Sequence, residues 1–167
     1  LSLDQISQLT AADVGTVYPF TSGSPSAIAL KVGQEPFSDI RVRQAMQLAI
    51  DLEAINTFLG NTGEVVVPGL WSTALSWSTV DEWPDDLKAQ FTTSTADLAA
   101  NQEKAKALLA EAGYPNGFDC EITVPDDRQT LNMLEIAQAM WKEAGINVTI
   151  TTYDLATIRE RNVAKLT

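Results

Sequence analysis

No histidine occurs anywhere in the 167 residues, and cysteine occurs once, at Cys120. Without histidine the usual general base for a serine or cysteine nucleophile is missing, as is the usual imidazole ligand of zinc or nickel. A single cysteine cannot close an intramolecular disulfide, so Cys120 is expected to behave as a small buried apolar group. Basic residues are scarce: 11 Lys and Arg stand against 22 Asp and Glu, a net charge of −11. Contacts to phosphate need clustered basic side chains, so nucleic acid and anionic membrane surfaces are poor partners for this chain. Also absent are an apolar run of about 18 residues that could cross a bilayer and a basic stretch leading into an apolar one. Any export signal or lipid anchor is therefore expected outside these residues, and no direct membrane insertion is expected within them. The glycine patterns GxGxxG, GxxxxGK[ST] and GxSxG do not occur, so neither nucleotide binding nor a nucleophile elbow has sequence support. No cofactor is implied.

What is present is an ordinary apolar fraction, 45%, enough with this length for one folded domain with a sizeable core. The stretch from Pro36 to Asp51 organises the rest. Pro36 bars a helix from entering from upstream, Ser38 or Asp39 can accept the first free amide hydrogens, and Val42, Ala45, Met46, Ala49 and Ile50 recur at helical spacing. Arg41, Arg43, Gln44 and Gln47 fall on the opposite side and read as a solvated surface.

Upstream, Leu1 to Leu9 suits a short helix with Leu3, Ile6 and Leu9 on one side. Gly15 to Phe20 suits extended chain, residues 21–26 a turn, and Ala27 to Val32 a strand. Downstream, Asp51 can cap a helix over Leu52 to Leu59 that Gly60 ends. Residues 60–95 show no sustained period and are expected to form a long irregular region, with a short helix at Asp85 to Phe91. Asn101 can cap a helix whose buried stripe is Ala105, Leu108, Leu109 and Ala112, ended by Gly113 and Pro115. Asp119 to Val124 alternates as a strand, Thr130 to Ala144 is helical, and Ile146, Val148 and Ile150 alternate with polar residues as a second strand. Strand, helix and strand with short joints make a βαβ unit with parallel strands. The expected fold class is α/β, with a mixed sheet flanked by helices, and Asp154 opens a last helix.

The stretch Phe37-Ser38-Asp39-Ile40-Arg41-Val42-Arg43-Gln44-Ala45, continued by Ala49-Ile50-Asp51, resembles the signature of family 5 extracellular solute-binding proteins. These are the dipeptide, oligopeptide and nickel receptors of ABC importers. Lys104-Ala105-Lys106-Ala107-Leu108-Leu109-Ala110-Glu111-Ala112-Gly113-Tyr114 with Gly117-Phe118, and Lys142-Glu143-Ala144-Gly145-Ile146-Asn147-Val148, are similar to two further family segments in the same order. One departure is that Asn101-Gln102 stands where the family usually has Asp-Pro, which keeps a cap and loses the helix-starting proline. The resemblance implies a type II periplasmic-binding-protein-like lobe, with residues 1–167 forming one α/β lobe of a larger two-lobed receptor. It also implies an extracytoplasmic, monomeric protein that captures a peptide-like or other small solute by hinge closure and passes it to ABC permease subunits. A ligand-sensing domain of a regulatory protein is the alternative, and a small α/β enzyme a weaker one.

Ligands of open α/β sheets bind at the carboxyl ends of the strands, and Asp126, Asp127 and Arg128 occupy that position in the first loop of the βαβ unit. The resemblance implies a basic residue near here for the carboxylate of a peptide solute, and Arg128 is the candidate because guanidinium binds carboxylate with two parallel hydrogen bonds. The alternative is an exposed arginine paired with Asp126 or Asp127. The pairs Asp85-Asp86 and Asp126-Asp127 lack the spaced oxygen ligands and turn glycine of a calcium loop and read as solvated or capping groups. Trp71 and Trp77 could stack on a solute, or pin the long irregular region to the domain.

Overall fold

The computed structural model describes residues 3–18, 28–58, 84–85 and 97–163. Six helices and two strands are defined among them: α1 (Leu3–Ala11), α2 (Ile40–Leu48), α3 (Leu52–Phe58), α4 (Leu98–Glu111), β1 (Phe118–Pro125), α5 (Arg128–Glu143), β2 (Ile146–Tyr153) and α6 (Leu155–Val163). The irregular region expected over residues 60–95, with its short helix, lies outside the described residues apart from Pro84 and Asp85.

β1 and β2 pair in parallel and in continuous register from Phe118 opposite Ile146 to Pro125 opposite Tyr153. The described strands are both parallel, with α5 as the crossover between them. Ile146 and Val148 point into the core while Asn147 and Thr149 are exposed, the alternation a strand with one covered face requires. α5 covers that face with Leu134, Ala137 and Trp141, and Gln138 Nε2 donates to Val148 O at 2.6 Å. The core continues through Val42, Ala45, Met46, Leu48 and Ala49 of the signature helix region to Ala105 and Leu109 of α4. α2 and α4 pack directly on each other.

The signature helix forms as its pattern predicts, with Asp39 in extended conformation accepting the Arg41 N–H at 2.8 Å. Its arginines are not simply solvated. Arg41 pairs with Asp39 and donates through Nη1 to Glu111 O at 2.7 Å, so one side chain ties the start of α2 to the end of α4. Arg43 donates to Phe37 O at 2.6 Å and Ser38 O at 3.0 Å. A long guanidinium beside unpaired carbonyls satisfies them without burying its charge, which helical spacing alone does not reveal.

Two further expectations are corrected. Residues 28–32 form no strand. Val32 N donates to Leu30 O and Gln34 N to Lys31 O, so the backbone turns on itself, and of its apolar side chains only Leu30 packs against the core. Asn101 is not a cap. α4 begins three residues earlier, with Asp97 at the N-cap position, and Asn101 lies buried inside it on the same face as Ala105. Leu98, Ala99 and Ala100 are good helix formers, and they extend the helix past the polar residue.

Glycine is required at two joints. α4 ends in a Schellman arrangement, with Gly113 at φ 96°, Tyr114 N donating to Leu109 O at 2.8 Å and Gly113 N to Ala110 O at 3.1 Å. Gly117 and Gly145, also at positive φ, meet where β1 and β2 begin, and a Cβ on Gly117 would lie 1.8 Å from Gly145 O.

Candidate functional site at the carboxyl ends of the strands

At the carboxyl end of β1 the strand pairing runs one bond further than the ladder, because Asp126 N donates to Tyr153 O at 3.1 Å. Asp127 N then donates back to Pro125 O at 2.9 Å, turning the chain. Asp127 itself stays extended and its Oδ1 accepts the Thr130 N–H at 2.9 Å, which makes it the N-cap of α5. The helix therefore starts at Arg128, two residues before the expected Thr130. A carboxylate at this place stabilises the first turn by satisfying a free amide and complementing the helix dipole.

Asp126, Asp127 and Arg128 are all exposed and adjacent, as the sequence order dictates. Among the described residues Arg128 makes no ion pair with either aspartate. One Asp127 oxygen is committed to the cap, so the pairing alternative for Arg128 is not the arrangement observed. Trp71 and Trp77 lie outside the described residues.

The other strand contributes groups that periodicity and motif do not place at this edge. Tyr153 ends β2 opposite Pro125, and the Arg161 guanidinium lies 4.7 Å from the centroid of its ring, a cation–π distance. Asp154 caps α6 by accepting from Ala156 N at 2.9 Å, Thr157 N at 3.0 Å and Thr157 Oγ1 at 2.7 Å. The backbone and hydroxyl donors of Thr157 hold its carboxyl below the usual carboxylate range. The signal that could have found this half is parallel register: residues ending both strands of a βαβ unit lie side by side.

The edge thus carries an exposed carboxylate at Asp126, an exposed guanidinium at Arg128, two capping carboxylates and a tyrosine face under Arg161. It offers charge and hydrogen bonding of both signs. No group of three or more ligating Cys, Asp or Glu side chains occurs among the described residues. The Cys120 thiol is pushed up to about 11, chiefly by burial and secondarily by the Asp119 charge. It stays protonated at neutral pH and is a poor nucleophile.

A parallel βαβ unit backed by helices, with polar groups at its carboxyl end, is an α/β arrangement of the kind found in periplasmic-binding-protein-like lobes. The chain belongs to the bacterial extracellular solute-binding proteins of family 5, whose middle region it matches over residues 1–165. It is 32% identical over 139 residues to heme-binding protein A of Haemophilus influenzae, an alignment covering 80% of this chain and 23% of that protein. It is 28% identical over 137 residues to the dipeptide-binding protein of Escherichia coli, covering 76% and 22%. The solved structure of HbpA2 from Haemophilus parasuis superposes with a TM-score of 0.72 at 28% identity, over 95% of this chain and 30% of that one. The chain spans less than a quarter of the length of these curated relatives.

Proposed function

We propose that this chain forms part of the solute-binding subunit of an ABC importer and that it presents the carboxyl edge of β1 and β2 to a peptide-like solute outside the cytoplasm. The match over residues 1–165 to a family of extracellular solute-binding proteins carries the reading. The function is capture and delivery, with no bond made or broken. A relative named for dipeptide binding supports the solute class, and the edge has the complementary chemistry, since a free peptide is a zwitterion. Arg128 is the group for the terminal carboxylate, because its planar fork matches two carboxylate oxygens. Asp126, unencumbered by a cap, suits an ammonium or a backbone amide. In the whole protein a second lobe closes over the solute, solute contacts favour the closed state, and the permease subunits receive that state.

The test is calorimetry on the full-length protein with short peptides bearing either a free or an amidated C-terminus. Arg128→Ala should weaken binding of the free acid by about tenfold or more, a loss of about 1.4 kcal/mol, and leave the amide nearly unchanged. Equal affinity of wild type and variant for the free acid would remove Arg128 from the site.

A further inference from the structure

Met140 stands apart from the other two methionines. Met46 is buried in the core, and Met133, half-buried like Met140, packs against that core without lining the groove at Met140. Met140 is half-buried and lines an open groove of about 390 Å³ with Phe58, Asn132, Glu135, Ile136 and Ala139. Its sulfur also accepts a hydrogen bond, since the Asp51 N–H donates to Met140 Sδ at 3.2 Å. Asp51 in turn starts α3, its Oδ1 accepting the Ala54 N–H at 2.9 Å, while Oδ2 is buried without a hydrogen-bond partner. Among the described residues the thioether is therefore the one tie on the amide of the residue that caps the next helix; Asp51 O also accepts the Ile55 N–H at 3.2 Å, while Oδ2 adds no anchor.

We propose that Met140 is a site of reversible oxidation by hydrogen peroxide, and that its sulfoxide loosens the start of α3. A thioether lone pair attacks one peroxide oxygen, the O–O bond breaks, and the other oxygen leaves as water after proton transfer. Sulfur is oxidised by two electrons, and the peroxide is reduced by the same two. The bond to the Asp51 amide does not survive in its present form. Oxygen added between sulfur and nitrogen has no room across 3.2 Å, and oxygen added on the groove side leaves an electropositive sulfur that is a poor acceptor. Loss of a part-buried hydrogen bond at a cap weakens the first turn of a helix. The groove gives a small oxidant access to Met140, whereas neither Met133 nor the buried Met46 lines it.

The experiment treats the full-length protein with hydrogen peroxide and follows each methionine by peptide mass mapping, with hydrogen exchange read across residues 51–58. Met140 should gain oxygen before Met133 and well before Met46. Exchange at the start of α3 should then quicken about fivefold, the effect of one lost hydrogen bond, and methionine sulfoxide reductase should reverse it. Met140→Leu, which preserves apolar volume, should make that exchange insensitive to peroxide. Oxidation of Met133 or Met46 ahead of Met140, or unchanged exchange at α3 once Met140 is fully oxidised, would overturn the proposal.

Discussion

Asp39 and Asp51 cap successive helices in contrasting surroundings. Asp39 lies near the surface, where hydrogen bonds from Arg41, side chain first and backbone second, lower its carboxyl from 3.8 to about 2. A carboxyl depressed in the folded state stabilises the fold fully above its unfolded value and loses that contribution as pH falls through the folded one. Thermal unfolding between pH 5 and pH 2 should therefore show a falling melting temperature that Asp39→Asn flattens; a variant with the same acid slope as wild type would mean that other carboxyls dominate. Two glycines give a second contrast. Gly113 has open space where a Cβ would stand, so Gly113→Ala meets only the penalty of φ 96°, about 1 kcal/mol. At Gly117 the added Cβ would collide with the Gly145 backbone. Gly117→Ala should cost about 4 kcal/mol or more, or prevent folding. Urea midpoints of the two variants decide it.

At the scale of elements, α2 and α5 are joined by one buried bond. Ala49 N takes Ala45 O and Ile50 N takes Gln47 O, so the last turn of α2 makes no backbone bond to Met46 O. The Trp141 indole, 2% exposed, donates to that carbonyl at 2.8 Å. A buried carbonyl left unpaired costs free energy, and a smaller ring leaves a void. Trp141→Phe should destabilise by about 2–3 kcal/mol, read from urea unfolding followed by circular dichroism. The two faces of α2 separate just as clearly. Met46→Asp places a charge among buried apolar side chains and should cost more than about 3 kcal/mol, whereas Gln47→Asp, at a half-buried position, should cost about 1 kcal/mol or less. Equal effects would mean that the buried face is misassigned.

For the molecule as a whole, the proposed two-lobe mechanism makes residues 1–167 half of a site. A solute held on one surface keeps much of its area wet, and an exposed ion pair at Arg128 contributes only about 0–1 kcal/mol in water. Binding by this chain alone should be weaker than by the full-length protein by about a hundredfold or more, a difference of about 2.8 kcal/mol. Calorimetry with one solute on both proteins checks it, and comparable affinities would place the whole site within these residues.

Periodicity determined most of the helices, the two described strands and their parallel sense, since a face that must be buried writes a repeat of 3.6 or 2 into the chain. Local chemistry determined that Asp39, Asp51 and Asp154 stand at helix starts and that Gly113 and Gly145 stand at helix ends. The family was legible in three ordered motifs. Tertiary structure alone decided that Arg41 reaches Glu111, that Trp141 reaches Met46, and that Met140 meets Asp51, because partners 70 to 95 residues apart leave no trace in local spacing. It also decided the segments where local composition misleads. Residues 28–32 have strand composition but take their hydrogen bonds locally, and Asn101 has cap chemistry but lies in a helix that its neighbours extend. The site divides in the same way: Asp126, Asp127 and Arg128 follow from position after a strand, whereas Tyr153, Asp154 and Arg161 join them only because the parallel register sets the two strand ends side by side.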